Sequence, residues 1–248
     1  EGDEIIVSEA EHHSNIVPWQ MLCSRKNAVL KVLRVDDNGY FNLDELESLI
    51  TDRTRIVAVT QISNVLGIVN PVGDIVRICH EHNVPVLIDG AQGVVHGGMD
   101  VRKVDCDFYA FSGHKMYAAT GVGVLYGKRK WLDAMPPYMG GGEMISSVKF
   151  SGTTYADTPE KFEAGTQNFA SVPTLKPAIE MLKMMEDDEI QSELNSVKEY
   201  LYKELTGNHN ITLYGVPRGT FSKIPLFSFS VKGVHHEDLA LILDKMGI

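Results

Sequence analysis

The sequence has 248 residues, of which 44% are apolar and 23% are charged, and its formal net charge is -10. This composition is ordinary for a folded globular protein and excludes an intrinsically disordered chain. The negative charge disfavours non-specific binding to nucleic acid or to anionic membranes, and no apolar run reaches the roughly 18–20 residues of a membrane-spanning helix.

The three cysteines, Cys23, Cys79 and Cys106, are few, odd in number and far apart. This usage is typical of a reducing compartment and does not match the spacing of metal ligands, so we expect a cytoplasmic protein in which all three are buried structural thiols. The chain begins without a methionine at a strand-like segment and stops at Gly247 and Ile248. We therefore expect it to be an internal piece of a longer protein.

Short apolar strands alternate with amphipathic helices over the first half of the chain. The predicted strands are 3–7, 29–33, 55–60, 85–89, 107–112 and 121–127, and the predicted helices lie around 16–22, 42–50 and 73–81. This alternation predicts an α/β fold: a mostly parallel sheet with helices on both faces.

The pattern changes after residue 134. Residues 135–167 show no clear period and predict a long loop, which is usually functional or part of an interface. Helices are predicted at 172–187, with a kink or boundary at Pro177, and at 190–205, capped by Gly207. Strands at 211–214 and 226–231 and a helix at 236–246 complete an α+β pattern. We place a domain boundary near 180, with a large domain at 1–180 and a smaller, truncated one at 181–248.

Polar side chains follow four of the predicted strands. They are His12 and His13, then Asn64, then Asp89 with Gln92, and finally Ser112, His114 and Lys115. Since the carboxyl ends of parallel strands meet at one edge of a sheet, where ligands bind in α/β folds, we expect these side chains to converge. A lysine amine can condense with an aldehyde, and a carboxylate can keep a ring nitrogen protonated. Pyridoxal phosphate needs both from its protein, so the pattern indicates an enzyme that uses this cofactor.

Each of these residues also has a simpler interpretation. Lys115 could be a solvated surface charge, Asp89 the cap of a segment beginning at Ala91, and Asn64 a plain turn residue. In the cofactor interpretation, His12 stacks on the ring or moves protons, and Asn64 bonds a cofactor oxygen or a substrate carboxylate. Gln92 would then donate to the phenolic oxygen of the ring.

Six motifs occur in an order that resembles one known family. They are residues 11–19 (Glu-His-His-Ser-Asn-Ile-Val-Pro-Trp), 63–67 (Ser-Asn-Val-Leu-Gly), 89–92 (Asp-Gly-Ala-Gln), 112–115 (Ser-Gly-His-Lys), 140–144 (Gly-Gly-Gly-Glu-Met) and 162–166 (Phe-Glu-Ala-Gly-Thr). Together they resemble the Suf-type (group II) cysteine desulfurases. That family includes selenocysteine lyases and belongs to the class V aminotransferase group of fold type I pyridoxal-phosphate enzymes.

The resemblance implies a role for each candidate residue. Lys115 would bind the cofactor covalently and take the Cα proton of the substrate, and His12 would stack on the ring and take part in proton transfer. Asp89 would pair with the ring nitrogen, Gln92 with the phenolic oxygen, Ser112 and His114 with the phosphate, and Asn64 with the substrate carboxylate or the cofactor. The resemblance also implies a homodimer, in which residues 140–142 and Thr166 serve the partner subunit's site, Thr166 contacting its phosphate.

The family reaction converts L-cysteine to L-alanine and leaves the sulfur as a persulfide on a catalytic cysteine, from which an acceptor protein takes it for iron–sulfur cluster assembly. None of the three cysteines matches the family position, and the arginine that binds the substrate carboxylate is also unmatched. A phosphate-binding turn is expected before Glu1. We therefore expect this chain alone to lack full desulfurase turnover.

Three alternatives remain open. The first is a selenocysteine lyase or another class V enzyme. The second is a nucleotide-binding protein or dehydrogenase, which is disfavoured because no Gly-x-Gly-x-x-Gly opens a helix after a strand and no Walker loop occurs. The third is a non-catalytic module for dimerisation or for docking a sulfur acceptor.

Overall fold

A six-stranded sheet forms the centre of the computed structural model, which describes residues 1–219 and 222–248. Its strands are β1 (Glu4–Ser8), β2 (Val29–Leu33), β3 (Thr54–Thr60), β4 (Val86–Asp89), β5 (Phe108–Ser112) and β6 (Gly123–Gly127). They lie side by side in the order β2-β1-β3-β4-β5-β6. The first five are parallel, whereas β6 is antiparallel to β5. The predicted mostly parallel sheet is confirmed.

Helices cover both faces of this sheet. They are α1 (Val17–Lys26), α2 (Leu43–Leu49), α3 (Val72–Glu81), α4 (Val101–Val104) and α5 (Arg129–Ala134). Side chains alternate along a strand, so Ile6 of β1 packs in the cluster that contains Leu46 of α2 and Ile75 of α3. Its neighbours on β1 face the other way and pack with Cys23 of α1. The two apolar faces explain why these strands read as continuous apolar runs.

The structure differs from the prediction between residues 135 and 167. Strands β7 (Ile145–Lys149) and β8 (Gly152–Tyr155) form an antiparallel hairpin there instead of an irregular loop. Their side chains are mostly polar and largely exposed. Without an apolar face there is no alternation for the sequence to show.

Two further predictions concern the chain after residue 170. Helix α6 (Leu175–Met185) follows a 3-10 turn (Val172–Thr174) and begins two residues before Pro177, so the proline lies at a boundary, which is one of its two predicted alternatives. A proline in the first turn of a helix removes no hydrogen bond and causes no kink. Gly207 is the last residue of α7 (Asp188–Gly207), not its cap, and the chain leaves through Asn208 with φ -97.

The remaining elements agree with the sequence in type. Strands β9 (Ile211–Tyr214) and β10 (Ser228–Val231) pair antiparallel, and α8 (His236–Lys245) follows them. The predicted domain boundary near 180 falls inside α6 and stays a prediction. In the part of the chain that is described, no helix has both the length and the apolar character to span a bilayer.

Candidate active site

A cavity of about 620 Å³ opens beyond the carboxyl ends of β1, β4 and β5. Its wall combines apolar side chains with hydroxyl, imidazole, amide, carboxylate and amine groups. The lining residues are His12, Ser14, Asn15, Pro18, Trp19, Leu87, Asp89, Ala91, Ala110, Phe111, Ser112, His114 and Lys115. This is the edge of the sheet at which α/β proteins bind ligands.

Five of the eight predicted site residues lie in this wall: His12, Asp89, Ser112, His114 and Lys115. The other three do not. Gln92 is half-buried in the turn after β4, and Thr166 is exposed in the loop that follows the hairpin. Asn64 lies in the turn after β3, which packs against the C-terminal segment, where Ile224 N donates to Gly67 O at 2.9 Å. Their predicted roles stay predictions.

Lys115 is held by a short 3-10 turn, Gly113–Met116, that directly follows β5. Met116 is buried and anchors the turn, and Tyr117 ends it in the left-handed region with φ 70. A Cβ on Gly113 would lie 2.6 Å from Val122 Cγ1, so only glycine allows this close packing. Among residues 1–219 and 222–248, the Lys115 amine has no hydrogen-bond or ion-pair partner, which leaves it available to a ligand.

Asp89 ends β4, and its carboxylate is held by the chain that follows it. Oδ1 accepts a hydrogen bond from Ala91 N at 2.9 Å. The intervening Gly90 has no room for a side chain, since a Cβ there would lie 2.0 Å from Tyr109 Cζ. The Tyr109 hydroxyl in turn donates to Gln61 Oε1 at 2.8 Å. The segment after Asp89 is a turn and not a helix, so the capping interpretation is wrong: one oxygen of Asp89 closes that turn, and the same side chain lines the cavity.

His12 lies across the cavity in the connection after β1. Its Nδ1 is 3.2 Å from Ser14 N and 2.8 Å from Ser14 Oγ. A backbone N–H can only donate, so Nδ1 accepts this bond and the proton of the neutral ring is assigned to Nε2.

Glu11 is a buried group beside the cavity to which the sequence analysis assigned no role. It is only 7% exposed and accepts hydrogen bonds from Ser8 Oγ, from Asn15 Nδ2 at 2.7 Å and from Thr60 N at 2.9 Å. Burial raises its pKa from 4.5 to about 7, against the effect of these hydrogen bonds, and the negative charge of Asp89 adds to the rise. The polar spacing 11, 15 and 19 at the end of a strand was the one available signal.

The three cysteines are buried, as predicted, and none lines the cavity. Burial raises the pKa of all three thiols, that of Cys79 to about 12 and that of Cys106 to about 11. Each is therefore a protonated, unreactive thiol at neutral pH.

A helix-flanked, mostly parallel sheet with a lysine and a carboxylate in one cavity at its carboxyl edge defines a class of α/β protein with a lysine-centred ligand site. A family model described as "Aminotransferase class-V" matches residues 1–248. The chain belongs to the aminotransferase class-V family.

Several proteins similar to this chain are named cysteine desulfurase. Proteins named cysteine desulfurase from Salmonella agona (strain SL483) and Cronobacter sakazakii (strain ATCC BAA-894) are each 44% identical over 248 residues. That alignment covers 100% of this chain and 60% of each relative. The chain thus spans about three fifths of the length of the curated relatives that it matches.

Solved structures agree with the predicted fold class. The cysteine desulfurase CsdA of Escherichia coli (S-sulfonic acid form) superposes with a TM-score of 0.89 at 40% identity. An apo cysteine desulfurase from Thermococcus onnurineus NA1 gives 0.89 at 32% identity. Both matches cover all of this chain, and they cover 61% and 62% of those chains.

Proposed function

We propose that this chain carries the lysine-centred part of the active site of a pyridoxal-phosphate-dependent cysteine desulfurase. The reaction would convert L-cysteine to L-alanine and pass the sulfur to a persulfide on the enzyme. One observation carries the proposal: Lys115 and Asp89 line the same cavity, from the ends of two neighbouring strands. The cysteine desulfurases among the relatives support the choice of reaction.

The residues of the cavity fit this cofactor. Its volume of about 620 Å³ lies in the range of roughly 300–1,000 Å³ that small-molecule sites occupy. Lys115 offers the amine, Ser112 and His114 offer donors for a phosphate, and Asp89 offers an anion for a protonated ring nitrogen. Asp89 Oδ1 is engaged by Ala91 N, which orients the carboxylate and leaves Oδ2 for the ligand.

When bound, the cofactor supplies an electron sink for the bonding pair that remains when a proton leaves the substrate Cα. The chain supplies the other functions. Lys115 would take the Cα proton at Nζ, and the carboxylate of Asp89 would keep the ring nitrogen protonated. His12 would stack on the ring and move a proton at its Nε2.

The remaining predicted contacts belong to the same proposal. Asn64 would reach the substrate carboxylate or the cofactor, and Gln92 would donate to the phenolic oxygen. Both lie in turns that follow strands next to the cavity, β3 for Asn64 and β4 for Gln92.

We also propose that the protein acts as a homodimer. The loop and hairpin between residues 138 and 169 expose many large apolar side chains: Tyr138, Met139, Val148, Phe150, Tyr155 and Phe169. Exposed apolar groups at this density are typical of an interface. Gly165 N donates to Gly142 O at 3.0 Å, so the glycine run and the Thr166 loop lie together, as a joint role at the partner subunit's site requires.

The persulfide would form on a cysteine other than Cys23, Cys79 and Cys106, because all three are buried away from the cavity. An acceptor protein would then receive the sulfur for iron–sulfur cluster assembly. The free, unpaired thiols suit a reducing compartment, so we place the protein in the cytoplasm.

The decisive experiment locates the amine that binds the cofactor. Pyridoxal phosphate is added to the protein, the product is reduced with borohydride, and the modified lysine is identified by mass spectrometry. We expect modification at Lys115 and its loss in Lys115→Ala, with Lys103→Ala, on the exposed side of α4, as the matched control. Lys223 is the rival amine, because burial lowers its pKa to about 8. Modification at Lys223 in place of Lys115 would refute the assignment.

The reaction is tested separately, by alanine release from L-cysteine and from L-selenocysteine. Alanine release from L-selenocysteine but not from L-cysteine would favour the lyase over the desulfurase.

The proposed dimer is tested by substitution in its interface. Phe150→Asp should shift the protein towards the monomer in analytical ultracentrifugation, because it places a charge in the proposed interface.

A further inference from the structure

Glu11 lies directly behind the wall of the candidate site and joins three separate parts of the chain. It accepts hydrogen bonds from Ser8 Oγ at the end of β1, from Thr60 N at the end of β3 and from Asn15 Nδ2 in the turn between β1 and α1. A single buried carboxyl group therefore ties the ends of two neighbouring strands to the turn that carries His12.

Asn15 extends this network into the cavity wall. It is 6% exposed; its Nδ2 donates to Glu11 Oε2 at 2.7 Å, and its Oδ1 accepts from Trp19 Nε1 at 3.0 Å. Turning the amide over would break both bonds, so Glu11 and Trp19 together fix its orientation. Asn15 and Trp19 both line the cavity.

His12 follows Glu11 directly and begins the same turn. The bond from Ser14 N to its Nδ1 sets the ring orientation relative to the turn. The position of the turn relative to the sheet is set by Glu11 and by Asn15. The bond from Ser14 N and the Glu11–Asn15 network together therefore determine where the imidazole lies in the cavity.

We propose that Glu11 is a positioning residue. Through Asn15 and the backbone of residues 12–15, it holds the imidazole of His12 in the cavity as the tautomer with Nδ1 unprotonated and Nε2 protonated. The use of that ring on a bound cofactor rests on the proposed function. The arrangement itself is a property of the protein without any ligand, and it can be tested without one.

The chemistry of Glu11 supports a dedicated role. Keeping a carboxyl group this deeply buried beside Asp89 is unfavourable, as its raised pKa shows, and such groups concentrate at functional sites. The network closes in both protonation states, because Ser8 Oγ can accept a hydrogen bond from protonated Glu11 as well as donate one to the carboxylate. A glutamine cannot do the same. Its amide nitrogen is a donor and would face another donor, either Asn15 Nδ2 or Thr60 N.

The test exchanges the polarity of the Glu11–Asn15 pair. In Glu11→Gln, the new amide nitrogen faces the donor of Asn15 or Thr60. In Asn15→Asp, the new carboxyl group faces that of Glu11. In the double variant, the new amide oxygen accepts from Ser8 and Thr60, and its nitrogen donates to the new carboxylate, which still accepts from Trp19. The double variant thus restores every hydrogen bond with the original net charge.

The readout is the tautomer of His12, measured by long-range ¹H–¹⁵N NMR of the histidine rings in the protein without cofactor. The signals are assigned by their loss in His12→Gln. We expect each single variant to convert a defined Nε2–H signal into averaged tautomers and to weaken folding about tenfold. The double variant should recover the native His12 signals. Glu9→Gln, an exposed neighbour whose oxygen can still accept from Val35 N, should change nothing.

Native His12 signals in the folded single variants would overturn the proposal, because Glu11 would then serve stability alone. Averaged signals in the double variant would overturn it as well. If Glu11→Gln does not fold, the double variant decides: a folded protein with native His12 signals supports the proposal, and failure to fold contradicts it. None of these outcomes depends on whether the protein is a desulfurase.

Discussion

His80 Nε2 lies 2.8 Å from Asp107 Oδ2, at the edge of the sheet opposite the candidate active site. Asp107 is 1% exposed and also accepts hydrogen bonds from Trp131 Nε1 at 2.7 Å and from Val86 N at 3.0 Å. Burial opposes its ionisation, but the hydrogen bonds from His80, Trp131 and Val86 outweigh it and hold the pKa of Asp107 below its ordinary value. This carboxylate joins α3, β4 and α5 at the start of β5.

We expect Asp107→Ala to lower the free energy of unfolding by about 3 kcal/mol, because it leaves buried donors without a partner. Lys128 pairs with Asp107 and also with the exposed carboxylate of Asp105. Asp105→Asn removes that exposed charge, keeps a residue that tolerates the left-handed backbone there, and should cost less than about 1 kcal/mol. Urea unfolding measures both. Equal losses in the two variants would show that Asp107 has no special structural role.

The same variant should lose its effect in acid. A carboxyl group with a lowered pKa stabilises the fold at pH values above its ordinary pKa, and this contribution is lost as the pH falls through the pKa of the folded state. The difference in unfolding free energy between wild type and Asp107→Ala should therefore shrink on acidification. A constant difference down to the acid transition would contradict the pKa direction.

Glu11 should produce the opposite pH dependence. Its pKa is raised from 4.5 to about 7, so the folded protein binds more protons in this window and the wild type loses stability as the pH rises through it. Relative to Glu11→Gln, we expect the wild type to lose about 3 kcal/mol between pH 4.5 and 7. Asp89, His12 and His13 are present in both proteins, so their titration largely cancels in the difference. Parallel stability curves would contradict the raised pKa.

Gly90 should tolerate no side chain. A Cβ there would overlap the ring of Tyr109, so Gly90→Ala must displace either that ring or the turn that holds Asp89. We expect a loss of about 1–3 kcal/mol in unfolding free energy. Gly73→Ala is the control, because the space around Gly73 in α3 is open and alanine favours a helix by up to about 1 kcal/mol. Similar effects of the two changes would show that the turn is not tightly packed.

The three thiols should resist modification in the folded protein. Because Cys23, Cys79 and Cys106 are buried and their pKa values are raised, a water-soluble disulfide reagent should modify them only as fast as the protein unfolds. Counting released thiolate with and without denaturant tests this. Fast modification of one thiol in the native protein would reopen that residue as a sulfur carrier.

The sequence predicted the six strands of the sheet and helices α1, α2 and α3 because each carries a local period or a continuous apolar run, whereas the short helices α4 and α5 were not predicted. The run before Asp89 is apolar on both faces, and Asn42 marks the start of α2 through its hydrogen bonds to Asp44 N and Glu45 N. These effects act over only a few residues, so they can be recognised from the local sequence. The hairpin at 145–155 has no such period, and for that reason it was predicted as a loop.

Strand ends also predicted much of the cavity. Asp89 and Ser112 are the last residues of their strands, and the sheet brings the short turns that carry His12, His114 and Lys115 to the same edge. Asn64 and Gln92 follow their strand ends by four and three residues, as closely as His12 and Lys115 do, yet they do not line the cavity, and Thr166 comes from a distant loop. Their positions depend on how those segments pack, which local pattern does not contain.

What the sequence determined by itself is therefore most of the strands and helices and the polar residues at the ends of the strands, since both follow from local periodicity and from the chain reversal after each strand. Only the tertiary structure decided the strand order, the antiparallel β6 and the burial of Glu11 between Ser8, Asn15 and Thr60. The physical reason is distance along the chain. Glu11 and Thr60 are 49 residues apart, and only the pairing of β1 with β3 brings the carboxyl group to its donor.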